Sequence, residues 1–286
     1  MIELDGLYNE DCLDLLPKIE DSSIDVVLTD PPFLYLKNQK LERPFDENRF
    51  FSEIKRILKD DGFLVFFGRG ESFYRWNYIV SRMNLVFKEE VIWHKNKTTS
   101  PVLPLGRCHE TIAIWTKAKG KIRRCYIDYT EKKQDINSVI GDINRLRVVL
   151  NNPKELELAQ MYLQTGKKVY APDGKISKFK TSIQNTGSSS RVQNVLEQMR
   201  RGSLESSVMT VVKNSYKAIH PTEKPVRLLE RLLCLVSDEG GVVLDPFAGS
   251  ASTCLAAKHL GRHYIGVEID REYFELAQDR INSYLF

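Results

Sequence analysis

Cysteine is scarce in this chain and poorly placed for pairing or metal binding. Five thiols, Cys12, Cys108, Cys125, Cys234 and Cys254, are scattered over 286 residues without a Cys-x-x-Cys pair. That spacing argues against a disulfide framework or a zinc site and fits reduced thiols. Long apolar runs are missing too. Nowhere do about 18 apolar residues follow one another, so no membrane span is expected. Met1-Ile2-Glu3-Leu4-Asp5 has neither a basic start nor an apolar stretch, so no secretory leader is expected and the expected compartment is the cytoplasm. Histidine numbers five. His94 and His109 lack a serine, acid or metal-ligand partner at diagnostic spacing and are read as structural or loop residues. Neither hydrolytic nor metal chemistry is expected, and no metal ligand is assigned.

What is present describes a globular chain, 42% hydrophobic and 28% charged, long enough for one large domain or a domain with a lobe. Its formal net charge of +4 conceals an uneven distribution. Residues 118–215 hold 18 Lys/Arg against 9 Asp/Glu, whereas the remainder holds 24 against 29. Basic charge is concentrated in one third of the chain, interspersed with Tyr126, Tyr129, Tyr162, Tyr170 and Phe179. Alongside a base-binding site, that pattern suits a polyanionic partner.

The stretch Ile24-Asp25-Val26-Val27-Leu28-Thr29-Asp30-Pro31-Pro32-Phe33 reads as a buried parallel strand that stops abruptly. The two prolines fix their own φ and push the residues before them out of the helical region. They make a stiff elbow carrying one carboxylate, one carbonyl and one aromatic ring. In an open α/β sheet, ligands bind beyond the carboxyl ends of the strands. A carboxylate and a peptide carbonyl can each accept one N–H of an exocyclic amine while a ring stacks on its heterocycle.

Two further segments have the same character. His220-Pro221-Thr222-Glu223-Lys224-Pro225 precedes a helix whose apolar face is Leu228, Leu229, Leu232, Leu233 and Val236. Gly241–Thr253 is a buried strand running into the small-residue turn Asp245-Pro246-Phe247-Ala248-Gly249-Ser250-Ala251-Ser252-Thr253 and then a helix to His259, closed by Gly261. Such a turn brings backbone amides close to a ligand. It has neither the Gly-Lys-Ser/Thr of a Walker loop nor the Gly-x-Gly-x-x-Gly of dinucleotide folds. Glu268 ends the next strand, 23 residues past Asp245, where nucleotide folds place an acid on ribose hydroxyls. Near the start, Asp11 stands at an N-cap position before Cys12-Leu13-Asp14-Leu15.

Elsewhere the periodicity predicts a polar flap over 34–46 and a helix from Phe50 to Leu58 ended by Asp60-Asp61-Gly62. A strand follows over Phe63–Phe67, then a helix over Phe73–Met83, edge strands over Val86–Trp93 and Thr111–Trp115, and a loop over Lys95–Cys108. Residues 118–215 break this rhythm. They suggest a helix over Leu146–Leu163 interrupted at Asn151-Asn152-Pro153, a turn at Tyr170–Lys175, a flexible run at Thr186–Arg191 and a basic helix at Arg191–Arg201. Arg271–Ser283 reads as a closing amphipathic helix.

Asp-Pro-Pro-Phe, His-Pro-Thr-Glu-Lys-Pro and the Asp-Pro-Phe-Ala-Gly-Ser turn, in this order, resemble the β-group S-adenosylmethionine-dependent DNA amino-methyltransferases. The resemblance runs from about Asp11 to the last helix, and 118–215 lacks recognisable motifs. It implies a circularly permuted Rossmann-like methyltransferase fold of the α/β class, with a mostly parallel twisted sheet, one antiparallel edge strand and an inserted recognition lobe. The halves would be 1–117 (catalytic) and 216–286 (cofactor-binding), around a target-recognition insert at 118–215. It implies that Asp30 and the Pro31 carbonyl grip the amine, with Pro32 stiffening the elbow and Phe33 stacking on an extruded base. For the cofactor it implies Asp11 and Cys12 on the adenine ring, Glu268 on the ribose, and Thr222, Lys224, Phe247, Gly249, Ser250, Ser252 and Thr253 about the methionine end, with Asp30, Asp245, Pro246 and Asp270 beside them. Ala251 departs from the glycine usual there and would tighten the pocket. The activity implied is methylation of adenine N6 in duplex DNA, Asp before the prolines favouring adenine and Ser favouring cytosine N4. RNA or protein-amide methylation and a silent DNA-binding module are the competing classes. A cognate restriction endonuclease and a homodimer are further implications.

Overall fold

The computed structural model describes residues 2–33, 42–98, 104–128, 136–149, 151, 153–167, 200–212 and 219–283. Tyr170–Lys175, Thr186–Arg191, most of Arg191–Arg201, residues 34–41 of the flap and 99–103 of the loop lie outside them. Two compact units emerge: Met1–Arg123 with Ser206–Phe286, and Arg124–Glu205.

The larger unit is built on an eight-stranded sheet of β1 (Gly6–Tyr8), β2 (Ile24–Thr29), β3 (Leu58–Gly68), β4 (Val86–His94), β5 (His109–Thr116), β8 (Val208–Thr210), β9 (Val242–Asp245) and β10 (His263–Val267), ordered β1-β10-β9-β2-β3-β5-β4-β8. All adjacent pairs are parallel except those made by β5, which runs against both β3 and β4. β5 is thus the antiparallel strand, and β4 and β8 lie outside it. Val208–Thr210, counted with the insert on sequence, supplies the edge strand of this sheet. It does so by burying Met209 between two exposed neighbours.

Helices cover both faces: α1 (Cys12–Leu15), α2 (Glu47–Ile57), α3 (Gly70–Ser81), α6 (Val226–Val236), α7 (Ser252–His259) and α8 (Arg271–Ser283). α2 starts because the Asp46 carboxylate accepts from Arg49 N at 3.0 Å, and it buries Phe50, Phe51, Ile54 and Ile57, one apolar stripe at helical spacing. It ends at Ile57, earlier than the sequence suggests. Leu58 already pairs with Ile24 in the sheet, and the partner of Val26 is Phe63. Lys59–Gly62 is therefore a bulged excursion of β3, closing so tightly that a Cβ on Gly62 would meet Ile24 O and Lys59 O at 3.0 Å.

Trp76 of α3 is the largest side chain with no exposure. Its ring packs 6.2 Å from Phe66, and its Nε1 donates to Glu47 Oε1 at 2.8 Å. Trp76→Ala is expected to lower unfolding free energy by roughly 3–5 kcal/mol, as cavity-forming Trp truncations do. Urea unfolding would show that as a lower midpoint with an unchanged slope.

In the smaller unit, α4 (Ile136–Val149) and α5 (Lys154–Thr165) flank Pro153, and β6 (Tyr126–Ile127) pairs antiparallel with β7 (Ser203–Leu204). α4 begins ten residues before the expected start, because Ile136, Val139, Ile140 and Ile143 form a stripe against α5. Tyr162 is buried in that small core with Ala159 and Leu163, so it is a packing residue, not an exposed aromatic among basic ones. Tyr126 is exposed. Among the described residues no helix is long and apolar enough to cross a membrane.

Candidate active site

β2 and β9 are hydrogen-bonded neighbours, Val26 beside Val243 and Val27 beside Leu244. Their carboxyl ends, carrying Asp30 and Asp245, therefore open side by side. A cavity of about 610 Å³ lies there, in the larger unit. Asp11, Cys12, Asp30, Pro31, Pro32, Phe33, Thr222, Lys224, Asp245, Pro246, Phe247, Gly249, Ser250, Ser252, Thr253, Glu268 and Asp270 all border it. His94 and His109 do not; they face each other across β4 and β5. Ala251 does not border it either. It is fully buried in a left-handed conformation, φ 54°, which costs an L-residue roughly 1–2 kcal/mol. Its effect is on the backbone, not on pocket width, and this conformation is a physical reason for glycine there.

On one side the cavity is a cradle of backbone amides and acids. Gly249, at φ +51°, turns its N–H onto Glu268 Oε2 at 2.9 Å, while Glu268 Oε1 accepts from Asp270 N at 2.8 Å. Burial raises the Glu268 carboxyl despite those donors. Asp270 in turn accepts from Glu272 N at 3.1 Å and so caps α8. Asp245 accepts from Phe247 N at 3.1 Å, and burial, partly offset by Thr253 and that amide, pushes it up to about 6. Asp11 accepts from Leu13 N at 2.8 Å, and burial drives the neighbouring Cys12 thiol far above its usual range.

Arg280, which sequence reasoning passed over, fastens this cradle from α8. It donates to Ser250 O at 2.9 Å and Ser252 Oγ at 3.0 Å, and it pairs with Glu223 Oε1 at 3.2 Å. The His220 ring meets Tyr273 of the same helix edge-on, 4.3 Å between centroids. Amphipathic periodicity shows that α8 packs, but not which of its polar residues turn inward.

The other side is an elbow surrounded by buried charge. Asp30 Oδ2 pairs with Lys224, whose Nζ lies 3.3 Å from Glu110 Oε2, and Glu110 Oε1 pairs with Lys95. Asp30 Oδ1 is buried and has no hydrogen-bond partner among the described residues. Burial pushes Asp30 up to about 6, opposed by Lys224 and reinforced by Glu110. Glu110 is also buried, but Lys224 and Lys95 outweigh burial and hold it at about 2. Burial works against the Lys224 ammonium, yet Asp30 and Glu110 together raise it well above the usual lysine range. Aromatic faces complete the wall: Lys224 Nζ is 5.0 Å from the Phe67 ring centre and 5.9 Å from that of Phe33, and Lys95 Nζ is 4.9 Å from that of Trp93. The arrangement can hold an amine at Asp30 beside a ligand bearing hydroxyls at Glu268.

A family model described as DNA methylase, covering amino-methylation at N6 and N4, matches residues 24–279. This chain belongs to that DNA methylase family. Its order of elbow, insert and cofactor strand makes it a β-group amino-methyltransferase. It is 27% identical to the Type II methyltransferase M.HinfI of Haemophilus influenzae, over 98% of this chain and 69% of that one. It is also 23% identical to M2.DpnII of Streptococcus pneumoniae, over 97% and 89%. Among solved structures it resembles M1.HpyAVI in its SAM complex (TM-score 0.56, 17% identity, 96% and 98% covered) and the cytosine-N4-specific PvuII DNA methyltransferase (0.59, 16%, 98% and 86%). Those likenesses show that this DNA methylase has the Rossmann-like methyltransferase fold.

Proposed function

We propose that this DNA methylase transfers a methyl group from S-adenosylmethionine to N6 of an adenine flipped out of duplex DNA. The observation that carries the reading is the open Oδ1 of Asp30, buried and unmatched among the described residues, in the same cavity as the Gly249–Glu268 cradle. The residues fit the cofactor chemically. Glu268 offers two oxygens to ribose hydroxyls, Asp11 and the Cys12 amide suit an adenine edge, and the turn around Gly249 leaves room for the methionine end. Asp245 and Asp270, on the cavity wall, would bring negative charge to a ligand that carries a sulfonium and an ammonium. S-adenosylmethionine supplies a methyl group whose bond to sulfur breaks with its electrons on sulfur.

The chain's own part is orientation and proton handling. A duplex hides the amine, so the base must leave the stack. Asp30 Oδ1 and the Pro31 carbonyl each accept one amine hydrogen, aiming the nitrogen lone pair into the cavity. Phe33 stacks on the base. Asp30 then takes the proton that the nitrogen sheds, for which a carboxyl near 6 is suited at neutral pH. Residues 124–205 serve as the target-recognition part. Their excess of basic residues gives phosphate contacts for affinity, with base-edge contacts for specificity. The Type II designation of the relatives supports pairing with a restriction endonuclease, and a homodimer is testable by sedimentation.

Nucleoside mass spectrometry of unmethylated genomic DNA treated with the protein and S-adenosylmethionine tests the assignment. N6-methyladenine is expected, and activity should fall as pH drops below about 6, where Asp30 takes up a proton. N4-methylcytosine as the product would shift the assignment to the other amine.

A further inference from the structure

We propose that Glu110 is a positioning residue for this reaction: it binds Lys95 on one oxygen and draws Lys224 by charge toward the other, so that Asp30 keeps one oxygen open for the amine. The inference rests on the reading of Asp30 as the amine acceptor. Its basis is the charge inventory of a small enclosed space. Two carboxylates and two ammonium groups meet there with little exposure, 20% for the Asp30 side chain, 9% for Lys224, 12% for Glu110 and 10% for Lys95. An ammonium has three donors and no acceptor. With Asp30 alone as counter-charge, Lys224 and Lys95 would both turn to it, and its two oxygens would be occupied. Glu110 prevents this from its place on β5. One of its oxygens takes Lys95, and the other, with no hydrogen bond of its own among the described residues, stands 3.3 Å from Lys224 Nζ as a second counter-charge. The ammonium of Lys224 is shared, Lys95 rests over Trp93, and Asp30 Oδ1 stays unmatched among the described residues.

Removing the Glu110 charge leaves two cations on one acid. Asp30 then loses its free oxygen and its basicity, because Glu110 is the neighbour that works with burial to keep its carboxyl high. The groups that bear on Asp30 are Lys224 from the turn before α6, Glu110 from β5 and Lys95 after β4, and Asp245 at the tip of β9 feels Asp30 in turn. Asp245 also titrates near 6, held by Phe247 N and Thr253, so it could supply an acid limb of its own. A limb belonging to Asp245, which Asp30 pushes up, would not move to lower pH. That makes the position of the limb diagnostic.

The test compares wild-type protein with Glu110→Gln on unmethylated genomic duplex DNA and radiolabelled S-adenosylmethionine. Expected are a fall in kcat of about a hundredfold, the scale of a misplaced reacting group, and an acid limb of kcat displaced to lower pH. Calorimetric affinity for S-adenosylmethionine should fall far less than kcat, since Glu110 pairs with Lys224 and Lys95 and with neither Glu268 nor the Gly249 turn, and Glu110→Asp should recover most of the rate. If Glu110→Gln folds poorly, the double variant E110Q/K95M restores neutrality and should still show the displaced limb. An unchanged kcat, or a fall with the limb unmoved, overturns the assignment. A wild type that methylates no duplex DNA overturns the function reading instead, so the two failures are distinguishable.

Discussion

Asp30→Ala is expected to bind S-adenosylmethionine and to leave DNA unmethylated. The loss follows from two roles held by one carboxylate. On the proposed mechanism its free oxygen would orient the amine and then accept the amine's proton. Proton transfer by a placed side chain is worth about 100- to 10,000-fold, and orientation adds to it, so turnover should fall by at least about a thousandfold. Cofactor binding should survive because Glu268 and the Gly249 turn, the proposed cofactor contacts, follow other strands. The variant should also remain folded. Losing one partner of a buried ion pair is costly when the other charge is stranded, but Lys224 retains Glu110 at 3.3 Å. Asp30→Asn keeps an acceptor oxygen at the same place without the charge, and its rate should lie between. Calorimetry with S-adenosylmethionine and a radiolabel transfer assay separate these outcomes. Full methylation by Asp30→Ala would remove the acid from the chemistry.

How much of this site could be seen in the sequence depended on chain distance. The elbow at Asp30–Phe33 and the turn at Asp245–Thr253 are written in contiguous residues: an apolar run that must be a buried strand, followed by residues that only a sharp turn explains. The strand tips adjoin because β2 and β9 are sheet neighbours, which periodicity cannot show. Glu110, Lys95 and Arg280 are ordinary charged residues until folding gives them partners. Lys224 and Asp30 are 194 residues apart, and Arg280 reaches Glu223 across 57. In Cys108-His109-Glu110-Thr111 the histidine has the more reactive side chain by type, yet it is the buried acid beside it that joins the cluster. The end of α2 differs from the periodicity for a related reason. Asp60-Asp61-Gly62 is a fair helix stop by composition, but the pairing of Leu58 with Ile24 claims the chain sooner.

Glu268→Ala is the second substitution with a large expected effect, and it acts on binding, not on the chemical step. In the structure both carboxylate oxygens already accept from backbone, Gly249 N at 2.9 Å and Asp270 N at 2.8 Å. Each oxygen can still accept another hydrogen, so ribose hydroxyls can join without displacing the amides. Hydrogen bonds to a charged group contribute about 1.5–3 kcal/mol each. Losing two therefore weakens S-adenosylmethionine by at least about a hundredfold, as 1.4 kcal/mol is tenfold. The same deletion releases the Gly249 turn and the start of α8, because two partly buried amides lose their acceptor at about 1–3 kcal/mol apiece. Two readouts follow, and they divide the roles. The melting temperature of the free protein should drop, and the further rise that saturating cofactor gives the wild type, set by RT ln(1 + [L]/Kd), should shrink. Glu268→Gln separates them again: one amide oxygen can keep Gly249 in place, while its NH2 group faces Asp270 N as a donor against a donor. That variant should bind cofactor better than alanine and worse than wild type. A normal cofactor-induced rise in Glu268→Ala, with only the basal melting lowered, would make the acid a brace for the loop and would take the ribose contact away from it.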